Sequence, residues 1–303
     1  MKMMQGLSVA VLGPRGTNTE EVAKKHWKRA RLVFAKDLPE IFEKVEEGKT
    51  TYGVIPVEDS VEGDVTLSFD LLRSHDLNIV KELHLPVTHC LAARGGKDKI
   101  KVIASHPQAL AHCRVYLKEN FPNVEQRQVT STGEAAKQAA KDATTGAIAS
   151  ERAAKIYKLN VISREVHDRG SNTTRFFVIS RKPVRPKNSA KTSIIVDIPK
   201  DYPGALYQIL AEFANRGINL TKILSRPARG VLGEYIFYVD FEGSTKDSKV
   251  KKALKSIEQK AAVRILGSYS YPTRVIALRP TLKSQVSNVE VNLMSSSSNL
   301  KGC

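Results

Sequence analysis

The chain is poor in cysteine, with three in 303 residues, and it has no apolar run near the roughly 20 residues a membrane helix requires. Cys90, Cys113 and Cys303 lie far apart, form no CxxC pair and leave an odd number. That excludes a disulfide framework and a cysteine-based metal site. The histidines show no ligand spacing beside a cysteine or carboxylate cluster, so no metal is expected. Residues 1–5 carry one lysine, and Leu7–Leu12 is too short for a signal peptide and ends in Gly13-Pro14. A cytoplasmic location is therefore expected, with no membrane partner. Acidic residues are the scarcer sign, 31 against 48 Lys and Arg, for a net charge of +17. Such an excess favours anions. The basic residues are scattered, as at Lys24-Lys25 and along 249–255, and no RNA-reading motif or aromatic-basic stripe accompanies them, so no nucleic-acid partner is expected.

What is present is a soluble globular composition, 41% hydrophobic and 26% charged, on a length suited to about two domains. The organising stretch is 170–179, Gly-Ser-Asn-Thr-Thr-Arg-Phe-Phe-Val-Ile. Its first three residues favour a turn and its last four a buried strand. Asn172, Thr173, Thr174 and Arg175 stand at the join, a position suited to an anion, with a guanidinium fork and two hydroxyls. The plain alternative is a capped turn with a solvated arginine.

Upstream, strand-like and helix-like segments alternate, which predicts a mostly parallel sheet. Leu7–Leu12 is a strand running into Gly13-Pro14-Arg15-Gly16-Thr17, where Thr17 or Thr19 caps a helix. Tyr52–Val57 is a buried strand emptying into Glu58-Asp59-Ser60-Val61-Glu62-Gly63-Asp64. Val102–Ala104 ends at Ser105-His106-Pro107-Gln108, followed by a helix over 109–120. Ligands bind at such carboxyl ends of strands. Each cluster also has a structural reading as a helix cap. The pattern predicts two lobes meeting near Asn78 and Ser163, with a cleft collecting Thr17, residues 58–63, 105–108 and 172–175. Residues 182–188 are proline-rich and charged, a linker. The remainder reads strand-helix-strand-strand-helix-strand, the ferredoxin-like unit. Beyond Pro280 the chain is serine-rich, and disorder is expected.

Six stretches in this order resemble prephenate dehydratases that carry a C-terminal ACT regulatory domain. They are residues 13–17, the 53–60 run Gly-Val-Ile-Pro-Val-Glu-Asp-Ser, the 105–110 run Ser-His-Pro-Gln-Ala-Leu, residues 172–176, the 204–207 run Gly-Ala-Leu-Tyr, and Ser225-Arg226-Pro227. The resemblance covers Leu7–Tyr271 and implies an α/β, two-lobed, periplasmic-binding-protein-like catalytic domain over 1–181. Lobe 1 is expected over 6–77 and 164–181, and lobe 2 over 78–163. A linker (182–190), a ferredoxin-like ACT domain (191–272) and a tail (273–303) follow. With no chorismate mutase segment before Leu7, the monofunctional type is expected.

The implied reaction takes prephenate to phenylpyruvate, water and carbon dioxide, with no cofactor, since aromatisation drives it. Thr174 is the implied catalytic residue, hydrogen-bonded to the leaving hydroxyl, and Arg175 orients the substrate anion or fixes the loop. Thr17, Glu58, Asp59, Ser60, Gly63, Ser105, His106, Gln108, Asn172, Thr173 and Phe176 are the expected substrate-binding residues. The effector would be L-phenylalanine, bound between subunits of a homodimer or homotetramer by Gly204, Ala205, Leu206, Asn219, Leu224, Ser225, Arg226 and Pro227. Asp59 stands where the family commonly has asparagine, Leu224 where it often has glutamate, and Asn18 where it has an aromatic. The competing expectations are an arogenate dehydratase and a non-catalytic amino-acid-binding regulator.

Overall fold

Phe176-Phe177-Val178-Ile179 is apolar on both faces, which calls for a strand in the middle of a covered sheet. The computed structural model, which describes residues 6–168, 172–184, 190–199, 202–228 and 234–270, places it so. The first lobe comprises β1 (Ser8–Leu12), α1 (Asn18–His26), β2 (Arg31–Ala35), α2 (Leu38–Glu46), β3 (Tyr52–Asp59), β4 (Gly63–Asp64), α3 (Thr66–Ser74) and β5 (Asn78–Val87). The second comprises β6 (Cys90–Ala93), β7 (Val102–Ser105), α4 (Pro107–His112), α5 (Arg114–Asn120), β8 (Glu125–Gln128), α6 (Thr132–Lys141), β9 (Thr145–Ala149), α7 (Glu151–Ile156) and β10 (Asn160–Ser163). The chain then returns to the first lobe as β11 (Asn172–Ser180), and all four residues from Phe176 to Ile179 are buried.

The first sheet has the order β2-β1-β3-β11-β5, with β4 on β3, and the second β10-β6-β9-β7-β8. Both are mixed rather than mostly parallel. In the first, β11 runs antiparallel to both its neighbours, and in the second, β6 runs antiparallel to β9 and β10. The expected crossing at Asn78 moves to the end of β5, because that strand pairs along its length with β11 in the first sheet. The helix expected over 109–120 is broken at Cys113 into α4 and α5.

Local sequence explains the helices that frame the site. In α2, Leu38, Ile41, Phe42 and Val45 recur at helical spacing and are all buried, each contributing about 1.5–3 kcal/mol. Asp37 caps its start, accepting from the Glu40 N–H at 3.0 Å. Thr17 and Ser131 cap α1 and α6 by the same short-side-chain device.

The third sheet is formed by β12 (Ala190–Asp197), β13 (Leu220–Pro227), β14 (Tyr235–Glu242) and β15 (Ala262–Ser270), with α8 (Ala205–Ala214) and α9 (Ser248–Glu258) on one face. Its order, β13-β14-β12-β15, all antiparallel, is the expected ferredoxin-like arrangement. The other face packs on the first lobe, where Ile195, Tyr238, Leu266 and Tyr269 share a core with Phe69, Ile79 and Phe177. At Gly267 the approach is backbone to backbone, and a Cβ there would lie 2.1 Å from the Ile79 carbonyl oxygen. Residues 273–303, where disorder is expected, and 185–189 of the linker lie outside the described residues.

Candidate active site

A cavity of about 350 Å³ opens between the two lobes, the lower end of the range for small-ligand sites. Of the expected substrate-binding residues, Thr17, Asp59, His106, Gln108, Asn172 and Phe176 line it, together with the expected catalytic Thr174. The lining also includes the start of four helices: Thr17 and Asn18 of α1, Asp37 and Leu38 of α2, His106 and Gln108 of α4, and Ser131 and Thr132 of α6. Helix starts carry a partial positive charge, which favours an anion in a cavity that they border. Lys36 adds a side-chain cation at the rim of α2.

The pairing of β3 with β11 sets Thr174 opposite Asp59 and Arg175 opposite Glu58. Because alternate residues of a strand face opposite ways, the two pairs separate. Thr174 and Asp59 face the cavity, both buried, and the Thr174 hydroxyl donates to Asp59 Oδ2 at 2.9 Å. Asp59 Oδ1 accepts from the N–H groups of Val61 and Glu62 at 3.1 and 3.3 Å. His112 Nε2 stands 3.7 Å from that oxygen and 3.3 Å from Glu62 Oε1. The other nitrogen, Nδ1, meets the Asn172 side-chain N–H at 3.3 Å. Asn172 is oriented in turn by the Ser60 hydroxyl, which donates to its Oδ1 at 3.1 Å and accepts from the Thr173 N–H at 2.9 Å.

Several expectations are corrected by these positions. Arg175 points out of the cavity into the junction with the third sheet, where it donates to Glu58 at 3.1 Å, Glu82 at 2.7 Å and Asp240. It therefore does not reach a substrate held in the cavity. Glu58 follows it to that side and also pairs with Lys222. Ser105 is fully buried and donates to the Ile148 carbonyl at 2.7 Å, a bond that ties β7 to β9. Ser60, Gly63 and Thr173 are not cavity-lining. Ser60 braces Asn172, the Thr173 N–H holds the Ser60 hydroxyl, and Gly63 carries the left-handed φ of 86° at the β3–β4 turn. His106 lines the cavity yet also works as a cap, its Nδ1 accepting from the Gln108 N–H at 3.3 Å.

His89 and His112 were not singled out from sequence, and both line the cavity. A signal for His112 exists: it lies four residues after Gln108, on the same face of α4. Burial, with His112 and His167 nearby, holds the His89 imidazole down at about 4. Burial pushes the thiols of Cys90 and Cys113 up to about 11 and about 12, so neither is a ready nucleophile. Among the described residues no group of three or more potential metal ligands clusters.

On the third sheet, Gly204 has φ 91° at the start of α8, with Asn219, Ser225 and Pro227 exposed. Leu224 and Arg226 alternate to the inner face of β13, correcting their expected place in an effector pocket. Leu224 packs on the first lobe's core and Arg226 pairs with Asp70 at 2.8 Å.

Comparison with known proteins agrees with this architecture. The prephenate dehydratase family model matches residues 9–184 and the ACT domain model residues 192–259. A prephenate dehydratase of Methanocaldococcus jannaschii is 41% identical over 267 residues, covering 84% of this chain and 95% of that one. An arogenate dehydratase/prephenate dehydratase of Arabidopsis thaliana is 39% identical over 284 residues, covering 88% and 74%. The crystal structure of an Arthrobacter aurescens prephenate dehydratase in complex with L-Phe superposes with a TM-score of 0.82 at 32% identity, covering 96% of this chain and 99% of that one.

Proposed function

The chain belongs to the prephenate dehydratase family, and from that premise we propose that it converts prephenate to phenylpyruvate under feedback by L-phenylalanine through its ACT domain. The observation that carries the catalytic reading is the Thr174 hydroxyl on the wall of a cavity where helix starts converge. The substrate is a dianion with a ring hydroxyl. The electrons of the C–C bond to the ring carboxylate move into the ring as carbon dioxide leaves, and the C–O bond breaks. The departing oxygen takes one proton and leaves as water, so each turnover consumes one proton.

The helix starts hold the carboxylates, and Thr174 donates a hydrogen bond to the leaving oxygen, where negative charge develops. Asn172 and Gln108 are the neutral donors beside it. Phe176 packs under the ring. Cavity enclosure removes water from the carboxylate that departs.

Feedback runs through the junction on the other face of β11. There Arg175, Lys191 and Lys222 meet Glu58, Glu82 and Asp240. Burial alone would raise the Glu82 carboxyl, but the bond to His84 and the charges of Arg175 and Lys191 hold it well below the usual carboxylate range. An effector that shifts the third sheet moves Asp240 and Lys222, and with them the strand that carries Thr174. The effector site is built on Gly204–Leu206, Asn219, Ser225 and Pro227. It lies beside exposed Ile223 on edge strand β13, with exposed Tyr235 on β14 and Tyr207 on α8, a surface suited to a second copy in a homodimer or homotetramer. Two buried, unpaired thiols fit action in the reducing cytoplasm.

The direct test is phenylpyruvate formation from prephenate, with arogenate assayed beside it because relatives carry both names. Turnover of prephenate is the expected result. Absence of product from either substrate overturns the reading, and product from arogenate alone reassigns the substrate. A rise in unfolding temperature with L-phenylalanine, together with slower turnover, is expected, and no shift at saturation rejects the effector.

A further inference from the structure

The Thr174 hydroxyl has one proton to give, and in this structure it gives it to Asp59 Oδ2 at 2.9 Å. So arranged, it turns only lone pairs toward the cavity. That is the wrong polarity for an oxygen gaining negative charge as its bond to the ring breaks. The bond reverses if Asp59 carries a proton. The carboxylic acid then donates to Thr174 Oγ1, and the hydroxyl's own hydrogen faces the cavity.

We propose that Asp59 is a positioning residue whose protonation sets the direction of the Thr174 hydroxyl, so that the site is productive only with Asp59 protonated. This rests on the decarboxylative dehydration proposed above. The groups around Asp59 make the exchange accessible. The N–H groups of Val61 and Glu62 donate to Asp59 Oδ1, and His112 Nε2 stands 3.7 Å from that oxygen. With Asn172 donating to its Nδ1, His112 keeps its proton on Nε2, between Asp59 and Glu62. His89, held neutral by burial, supplies no opposing cation. Lys36, Asp37 and His106 are the remaining ionisable groups of the lining. A substrate dianion brought into the cavity adds like charge next to Asp59, and like charge favours the protonated form. The substrate thereby selects the arrangement that its own reaction needs.

Asp59→Asn separates this from a merely structural role. Asparagine keeps an oxygen for the Val61 and Glu62 N–H groups and presents a permanent N–H to Thr174, the geometry of the protonated acid. The expected result is that wild-type kcat falls about tenfold per pH unit above the pH at which the complex loses this proton. Asp59→Asn then shows no such limb and exceeds the wild type on the alkaline side. An unchanged alkaline limb in Asp59→Asn, or loss of activity at every pH in a folded variant, overturns the inference. If the variant does not fold, calorimetry on the wild type decides. Binding of the substrate analogue lacking the ring hydroxyl, measured in buffers of different ionisation enthalpy, is expected to take up one proton on the alkaline side. No uptake there overturns the inference. Wild-type turnover of prephenate is the control: its absence rejects the proposed reaction, while its presence with either adverse result rejects only the role of Asp59.

Discussion

Two adjacent residues of β11 divide the work of the molecule. On one face, Thr174 and Asp59 meet in a cavity open to a small ligand. On the other, Arg175 and Glu58 meet the third sheet, where Arg175 also stacks on Phe177, its guanidinium 4.7 Å from the ring centroid. The first face sets one hydroxyl against one carboxylate. The second is filled with paired charge, and Ser193 and Tyr269 continue it into the third sheet through Asp240. A pleat one residue wide thus separates chemistry from its control, and no longer route between them is needed.

The largest way to break the comparison is Arg175→Met. It leaves Glu82 and Asp240 without their main cation, and removing one partner of a buried network costs about 3–5 kcal/mol. A fall in denaturant midpoint of that order is expected, with loss of any response to L-phenylalanine. A midpoint within 1 kcal/mol of wild type, by the same conversion, would separate Arg175 from the junction. On the opposite face, Thr174→Ala is expected to lower kcat by about a hundredfold or more, about 3 kcal/mol of transition-state stabilisation, with an unchanged melting curve. Retained turnover would remove Thr174 from the chemistry.

The pH dependence of stability sharpens the first face. His89 titrates at about 4 in the fold against an ordinary 6.5, so the unfolded chain binds more protons between those values. Stability from this group is whole above about 6.5 and declines as the pH falls toward 4, by about 3 kcal/mol. His89→Gln should flatten that decline in chemical denaturation, whereas an unaltered pH slope would assign it elsewhere. The smallest effect is expected at Ser105→Ala. Losing its bond to the Ile148 carbonyl costs about 1–3 kcal/mol, at the lower end here, with KM and kcat for prephenate held near wild type. A large rise in KM would return Ser105 to the substrate.

Much of this fold was legible in the sequence because it is written in short-range signals. The cap at Thr17 and the βαββαβ order of the last domain both appear as expected. The side on which a residue works was not legible. Thr174 and Arg175 belong to one motif, and only the register against Asp59 and Glu58 assigns them opposite faces. Leu224 and Arg226 were misplaced for the same reason on β13. The lobe boundary moved because β5 pairs with a strand about ninety residues away, a contact that local pattern does not carry. His89 and His112 escaped because single histidines without a spacing partner look alike wherever they stand.

The four helix starts around the cavity have a consequence for how such a site changes over time. Their attraction for a carboxylate is made of peptide groups, which no single codon replaces and no change of pH neutralises. A lining side chain that the reaction does not use can therefore change while the backbone goes on favouring anions. The cavity's appetite for negative charge is a property of the fold itself, inherited with the backbone.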